Sequence, residues 1–209
     1  MRTALCFGDS NTWGYVPASG ERYAPELRWT GVLAARLGPS WAVVAEGLNG
    51  RTTVLEDPLG EGLRGSAYLG PCLRSHKPID LAILMLGSND LKSRFSFGPF
   101  EIAEGVGRLV EIVRASGAGP GGQAPALLVA CPAPLLEAAE GSGSFAGGRE
   151  KSLGLRREFA RLGAERGVPI LYVEDCASSS PRDGLHLEAE AHAALGAALA
   201  RAVLGLFPR

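Results

Sequence analysis

Five short apolar runs punctuate the chain: TALCF (3–7), WAVVAE (41–46), DLAILML (80–86), PALLVAC (125–131) and PILYV (169–173). Most are nearly continuous in apolar residues instead of alternating. That is how strands buried on both faces read, as in a parallel sheet covered by helices. Helical periodicity fills the intervals. WTGVLAARL (29–37) has apolar residues at helical spacing, and in 99–116 Ile102, Val106, Leu109, Val110 and Val113 fall on one face. Residues 149–166 read as one charged amphipathic helix ending at Gly167, and 187–207, rich in Ala and Leu, as a closing helix. Strands alternating with helices predict an α/β domain, with five parallel strands, helices on both faces and right-handed crossovers. The Gly-rich stretches 117–122 and 141–148 read as loops, because periodic segments resume after each. No repeat or linker divides the chain, so residues 1–209 are expected to form a single domain.

Composition narrows the function. Of 209 residues 46% are hydrophobic, and the formal net charge is −1, which predicts a globular fold with no general attraction to nucleic acid or to an anionic membrane. The N-terminal apolar run is too short for a secretion signal, and no run approaches 18 uninterrupted apolar residues; a cytoplasmic protein is the expectation. Cys6, Cys72, Cys131 and Cys176 form no C-x-x-C pair, so they are expected to be reduced, partly buried thiols, not a zinc or redox motif.

The chemistry-bearing residues gather at strand ends. The first run leads into Gly8-Asp9-Ser10-Asn11, and in an open α/β sheet ligands bind beyond the carboxyl ends of the strands. A helix beginning there sets Ser10 near N–H groups able to hold an anion; the same four residues also suit a plain turn. Near the other end stands Asp183-Gly184-Leu185-His186. A carboxylate three residues before a histidine can accept its Nδ1–H and leave Nε2 free as a base. The other histidines, His76 in a polar turn and His192 among alanines, read as structural or surface residues. The second and third runs end at Gly47-Leu48-Asn49-Gly50-Arg51 and Gly87-Ser88-Asn89-Asp90. Gly50 lets a backbone N–H come close to a ligand, Asn89 offers an amide donor, and with the Ser10 N–H these make three candidate oxyanion donors.

Taken in order, GDSN, Gly50 ahead of Thr-Thr, Gly87-x-Asn89-Asp90 and Asp183-x-x-His186 resemble the SGNH (GDSL-type) hydrolase family, whose four letters fall on Ser10, Gly50, Asn89 and His186. Asn11 stands where the name-giving motif has Leu. The segments FGDSNTWGY, RWTGVLAARLG, EGLNGRTT, MLGSNDLK and DGLHL look like its arylesterase/acyltransferase branch. The resemblance implies a flavodoxin-like three-layer α/β/α sandwich and serine esterase chemistry on short-chain aryl or alkyl esters without metal or cofactor. It also implies a homo-oligomer and acyl transfer to alcohols as a further activity. In that reading Ser10, Asp183 and His186 form the triad, Ser10, Gly50 and Asn89 the oxyanion hole, and Asp9 supports the loop. Trp13, Tyr15, Lys92 and Phe145 are candidate pocket residues, and Arg51 a structural ion-pair partner. Carbohydrate acetyl ester, lysophospholipid or thioester hydrolysis on the same scaffold is the rival reading. A phosphate- or nucleotide-binding module is disfavoured, because no G-x-G-x-x-G or Walker-type cradle follows the first strand.

Overall fold

The structure is a computed structural model and describes residues 1–208. In chain order its principal elements are β1 (Arg2–Gly8), α1 (Ser10–Trp13), α2 (Trp29–Leu37), β2 (Trp41–Gly47), α3 (Gly65–His76), β3 (Leu81–Met85), α4 (Pro99–Arg114), β4 (Ala126–Cys131), α5 (Glu137–Glu140), α6 (Gly148–Leu153), α7 (Leu155–Arg166), β5 (Ile170–Tyr172) and α8 (Ala189–Leu206). The strands form one sheet in the order β2-β1-β3-β4-β5, every neighbouring pair parallel. This is the flavodoxin-like order, in which the chain reverses its direction of travel between β1 and β3 and opens a crevice beyond their carboxyl ends.

The continuous apolar runs resolve into two alternating sets. In β1, Leu5 and Phe7 enter one core with Ala82 and Leu84 of β3, Val129 of β4 and apolar residues of α3, α4 and α7. Ala4 and Cys6 enter the other with Leu81 and Ile83, Leu128 and Ala130, and residues of α2 and α8. A period-two chain buried on both sides has no polar face left to show, which explains why the runs do not alternate. β2 and β5 lie at the sheet edges, and most of their residues are only part-buried.

Three features depart from the sequence pattern. α3 carries Gly65, Gly70 and Pro71, poor helix formers, yet closes twelve residues because Leu69, Cys72 and Leu73 bury against the sheet. His76 is therefore the last residue of a helix and not part of a turn. The expected helix over 149–166 is two helices broken at Gly154, where a Cβ would lie 2.6 Å from the Pro99 ring. α8 is long and apolar enough to cross a membrane by length and composition, but Leu195, Leu199 and Val203 are buried in the core against α2 and the sheet.

His192 of α8 is fully buried, and its Nδ1 accepts the Trp29 N–H at 3.3 Å. Burial is the main cause that lowers its pKa to about 4, with the positive charges of His186 and Arg28 adding to it. Between the ordinary imidazole value near 6.5 and about 4, the unfolded chain binds a proton that the folded chain refuses. The stability this residue contributes is thus complete above pH 6.5 and lost as pH falls toward 4, roughly 3 kcal/mol over the interval. Replacing His192 by Gln should flatten that part of the acid limb. Denaturant titrations of both proteins at pH 7 and 4.5 check it; parallel losses in the two would contradict the assignment.

Candidate active site

β1 ends at Gly8, where a Cβ would meet Thr12 Oγ1 at 2.1 Å and Met85 O at 2.8 Å; only glycine lets α1 turn in so close to β3. Asp9 caps α1, its Oδ1 accepting the Asn11 N–H at 3.0 Å. Ser10 is the first residue of that helix and almost fully buried. Its Oγ lies 3.0 Å from His186 Nε2, and His186 Nδ1 lies 2.8 Å from Asp183 Oδ2. Asp183 Oδ1 also accepts the N–H groups of Leu185 and His186, each at 3.0 Å, and Oδ2 accepts the Ala18 N–H at 3.0 Å. The tight turn requires Gly184, at φ 72°. Burial raises the Asp183 pKa, but hydrogen bonds from His186 and Leu185 outweigh it and hold the carboxyl well below the usual carboxylate range. With Asp183 ionised, Nδ1 carries the imidazole proton and Nε2 accepts from Ser10 Oγ.

The candidate oxyanion donors come from the ends of three neighbouring strands. Ser10 follows β1, Gly50 follows β2 at φ 83°, and Asn89 follows β3 as a buried residue opening a 3₁₀ turn. Within the described residues neither Ser10 nor Gly50 donates its backbone N–H to a carbonyl. Two buried groups fix these strand ends. Asp90 accepts from the Thr53 N–H at 3.1 Å and from the Thr53 hydroxyl at 2.5 Å, tying the turn after β3 to the one after β2. Arg51 donates to the main-chain carbonyls of Gly8 and Glu46, with its guanidinium 4.2 Å from the Phe7 ring centroid. The expectation of an ion pair at Arg51 is thus corrected: its hydrogen bonds go to carbonyls, not to a carboxylate. Burial pushes both Asp9 and Asp90 up to about 6, against the hydrogen bonds each accepts.

The remaining candidates divide. Tyr15 stacks on the His186 imidazole, with centroids 4.1 Å apart and planes 24° from parallel. Tyr15 and Phe145, with Ala139, Ser142 and Leu185, line a cleft of about 190 Å³ that opens on His186. Trp13 is half-buried under the Arg22 guanidinium, 4.6 Å from its ring centroid. Lys92 is buried, with Nζ 3.0 Å from Asp57 Oδ2, and Arg94 shares the same carboxylate. It flanks the Gly50 turn as part of a closed ion cluster.

Sequence reasoning assigned no role to Asn11. Its side chain donates to Leu185 O at 3.3 Å and accepts the Leu187 N–H at 3.0 Å, gripping the backbone on both sides of His186. Only its place beside Ser10 hinted at this.

The match to known proteins agrees with the geometry. Residues 6–194 match the GDSL-like lipase/acylhydrolase family, and the chain belongs to it. It is a carboxylic ester hydrolase with the SGNH fold. A carbohydrate acetylesterase from Sinorhizobium meliloti is 45% identical, with 99% of this chain and 100% of that chain covered and a TM-score of 0.94. The native aryl esterase of M. smegmatis is 41% identical over the same shares, also at a TM-score of 0.94. A G-D-S-L family member from Veillonella parvula, 15% identical with both chains fully covered, shares the fold at a TM-score of 0.66. No protein of curated function matches the sequence.

Removing the Asn11 side chain leaves the Leu187 N–H buried without an acceptor. Asn11→Ala is expected to lower stability by about 1–3 kcal/mol and to reduce kcat more than it raises KM, because His186 loses its backbone support. Chemical denaturation and steady-state kinetics check both; unchanged stability would remove the clamp from the account.

Proposed function

We propose that this enzyme hydrolyses esters of short acyl chains through a covalent acyl-enzyme. The relay carries the reading: Ser10 Oγ 3.0 Å from His186 Nε2, and His186 Nδ1 2.8 Å from Asp183, beside a cleft of about 190 Å³. Ser10 Oγ attacks the ester carbonyl while its proton passes to His186 Nε2. Asp183 keeps the imidazole in the right tautomer and stabilises the imidazolium. The tetrahedral oxyanion is held by the N–H groups of Ser10 and Gly50 and by the Asn89 amide. His186 then returns the proton to the leaving alcohol oxygen as the C–O bond breaks. Water repeats the sequence to release the acid and free Ser10, and an added alcohol in place of water gives transfer.

The acid of the triad is distinguished by environment. Asp9 and Asp90 are both pushed upward by burial, whereas Asp183, with three N–H donors and the imidazole, stays ionised. The cleft is small beside the roughly 300–1,000 Å³ of drug-sized ligand sites, which favours acetyl-sized groups over long chains. The identity to a carbohydrate acetylesterase favours a second reading, an acetylated sugar as the alcohol half of the substrate. A panel of acetyl, butyryl and long-chain nitrophenyl esters beside acetylated xylo-oligosaccharides separates the two. The first reading expects acetyl esters to lead whatever the alcohol, and a preference for long chains would refute it.

Ser10→Ala should abolish labelling by a serine-reactive phosphonate; a mass-spectrometric adduct on another residue would displace Ser10 as nucleophile. Asn89→Ala should cost roughly 10²–10³ in kcat if the amide is a hole donor.

Tyr15 serves the imidazolium, not the neutral ring. Its π-face lies over His186, and a cation over an aromatic ring gains about 0.5–2 kcal/mol. In this step the positive charge on the ring develops as Ser10 gives up its proton, so the gain belongs to the reacting state. Tyr15→Leu should therefore reduce kcat by roughly 3- to 30-fold, and Tyr15→Phe should restore it. A loss confined to KM would make Tyr15 a pocket wall only.

A further inference from the structure

A second cluster of reactive side chains lies at the edge of the sheet, apart from the Ser10 relay. Tyr68, Cys72 and His76 follow one another at four-residue intervals along α3 and so share a helix face. That face meets Glu46, the penultimate residue of β2. Glu46 Oε1 is 2.7 Å from His76 Nε2, and the Tyr68 hydroxyl donates to Glu46 Oε2 at 3.3 Å. One ligand-type atom each from Glu46, Cys72 and His76 lies within 4.8 Å of the other two.

We infer that Glu46, Cys72 and His76 form a binding site for a thiophilic divalent cation of the zinc type. Zinc takes one thiolate, one imidazole and one carboxylate at about 2.0–2.3 Å, which separates tetrahedral ligand atoms by roughly 3.3–3.7 Å. The three side chains need to shift by only about an ångström to reach that spacing. Burial pushes the Cys72 thiol up to about 12, so the ion itself displaces that proton to solvent, and the His76 tautomer with its proton on Nδ1 presents Nε2 to the ion in place of the Glu46 contact. Cys72 and His76 stand at i and i+4, the helix spacing by which two ligands address one ion from the same side. Tyr68 holds the second oxygen of Glu46, the kind of outer hydrogen bond that fixes a ligating carboxylate.

Access and selectivity follow from burial and softness. The Glu46 and His76 side chains are 21% and 31% exposed, whereas Cys72 is 1% exposed, so the ion enters from solvent and the thiol closes the site from within. Glu46 and Tyr68 also border an open cleft of about 480 Å³, which leaves room for water at the fourth position. A sulfur–nitrogen–oxygen donor set selects zinc or cobalt over magnesium or calcium, which prefer all-oxygen ligands. The carboxylate and thiolate together balance the charge of the ion in the presence of Arg51, which donates to the Glu46 carbonyl.

The full-length enzyme, stripped with a chelator, should be titrated with Co²⁺ in the ultraviolet and visible and with Zn²⁺ by calorimetry. One equivalent of each is expected. Cobalt should show a thiolate charge-transfer band that Zn²⁺ erases and Mg²⁺ leaves untouched. His76→Gln, at a part-exposed helix end, should weaken binding at least tenfold, and Cys72→Ser should remove the band. His186→Ala should bind cobalt as the wild type does, which separates this site from the relay. The inference is overturned if no saturable binding occurs, if the cobalt spectrum lacks the thiolate band, or if His76→Gln binds unchanged. The His76 variant keeps the test decisive should the core substitution at Cys72 fail to fold.

Discussion

The Asn11 side chain joins the two ends of the site. One amide grips Leu185 O and the Leu187 N–H, so the segment carrying His186 is fixed to the helix that begins with Ser10. The two segments are more than 170 residues apart in sequence. The Asn11 amide acts beside the Ala18 N–H, which donates to Asp183, and the Leu136 N–H, which donates to Gly184 O, so that the 3.0 Å contact between Ser10 Oγ and His186 Nε2 is held from three sides. The rest of the fold prepares the same meeting. The strand order reverses beside β1, Gly8 lets α1 turn in against β3, and Asp183 closes its own turn with two N–H bonds before it meets the imidazole. Each step removes freedom from the groups that meet at this site.

Beneath the relay lies a layer of buried charge. Asp9, Asp90 and Arg51 are all nearly inaccessible, and each spends its hydrogen bonds on backbone or hydroxyl groups near strand ends. Burying such groups is costly unless they are satisfied, and a half-satisfied network is worse than none. The structure bears that cost here, leaving Arg51 Nε buried without a partner among the described residues, in groups that hold the strand ends. Arg51 ties β1 to β2, and Asp90 ties the turn after β3 to the turn after β2. The result is that the ends of three adjacent strands, each carrying one candidate donor, are locked to one another. The same environment sorts the acids: those lacking an imidazole partner are pushed toward neutrality, and Asp183 is not.

How much of this the sequence disclosed depended on whether a residue acts through its own neighbourhood or across the fold. The five apolar runs marked all five strands, because two-sided burial leaves an unbroken apolar signature. The order of motif residues was legible because each follows directly on a strand. α3 was not legible: Gly65, Gly70 and Pro71 weaken its local propensity, and its stability comes from packing that no window of sequence contains. The break at Gly154 was missed for a related reason: the Pro99 ring that leaves no room for a side chain at that position lies on another element. Asn11 and Asp90 sat in plain view within their motifs, but their partners are 174 and 37 residues away. Arg51 suggested an ion pair by its type and took carbonyls instead, because carbonyls are what two parallel strand ends present.

The relay and most of the cleft wall are drawn from different parts of this molecule. Ser10, Gly50 and Asn89 follow β1, β2 and β3, and β1 pairs with both of the other two. The walls of the cleft come from elsewhere: Tyr15 and Ala18 from the segment after α1, and Ala139, Ser142 and Phe145 from α5 and the Gly-rich stretch after it. Surface segments of this kind accept substitution and insertion far more readily than strands do. Two relatives that share the fold at the same TM-score carry different substrate names, one a carbohydrate acetylesterase and the other an aryl esterase. A shared fold does not by itself fix the substrate. The cleft-facing side of Tyr15 is the one place where relay and wall meet, because the ring that bounds the cleft also lies against the base. A substitution there touches the cleft wall and the imidazole together, whereas one at Phe145 reshapes the wall and leaves the imidazole untouched.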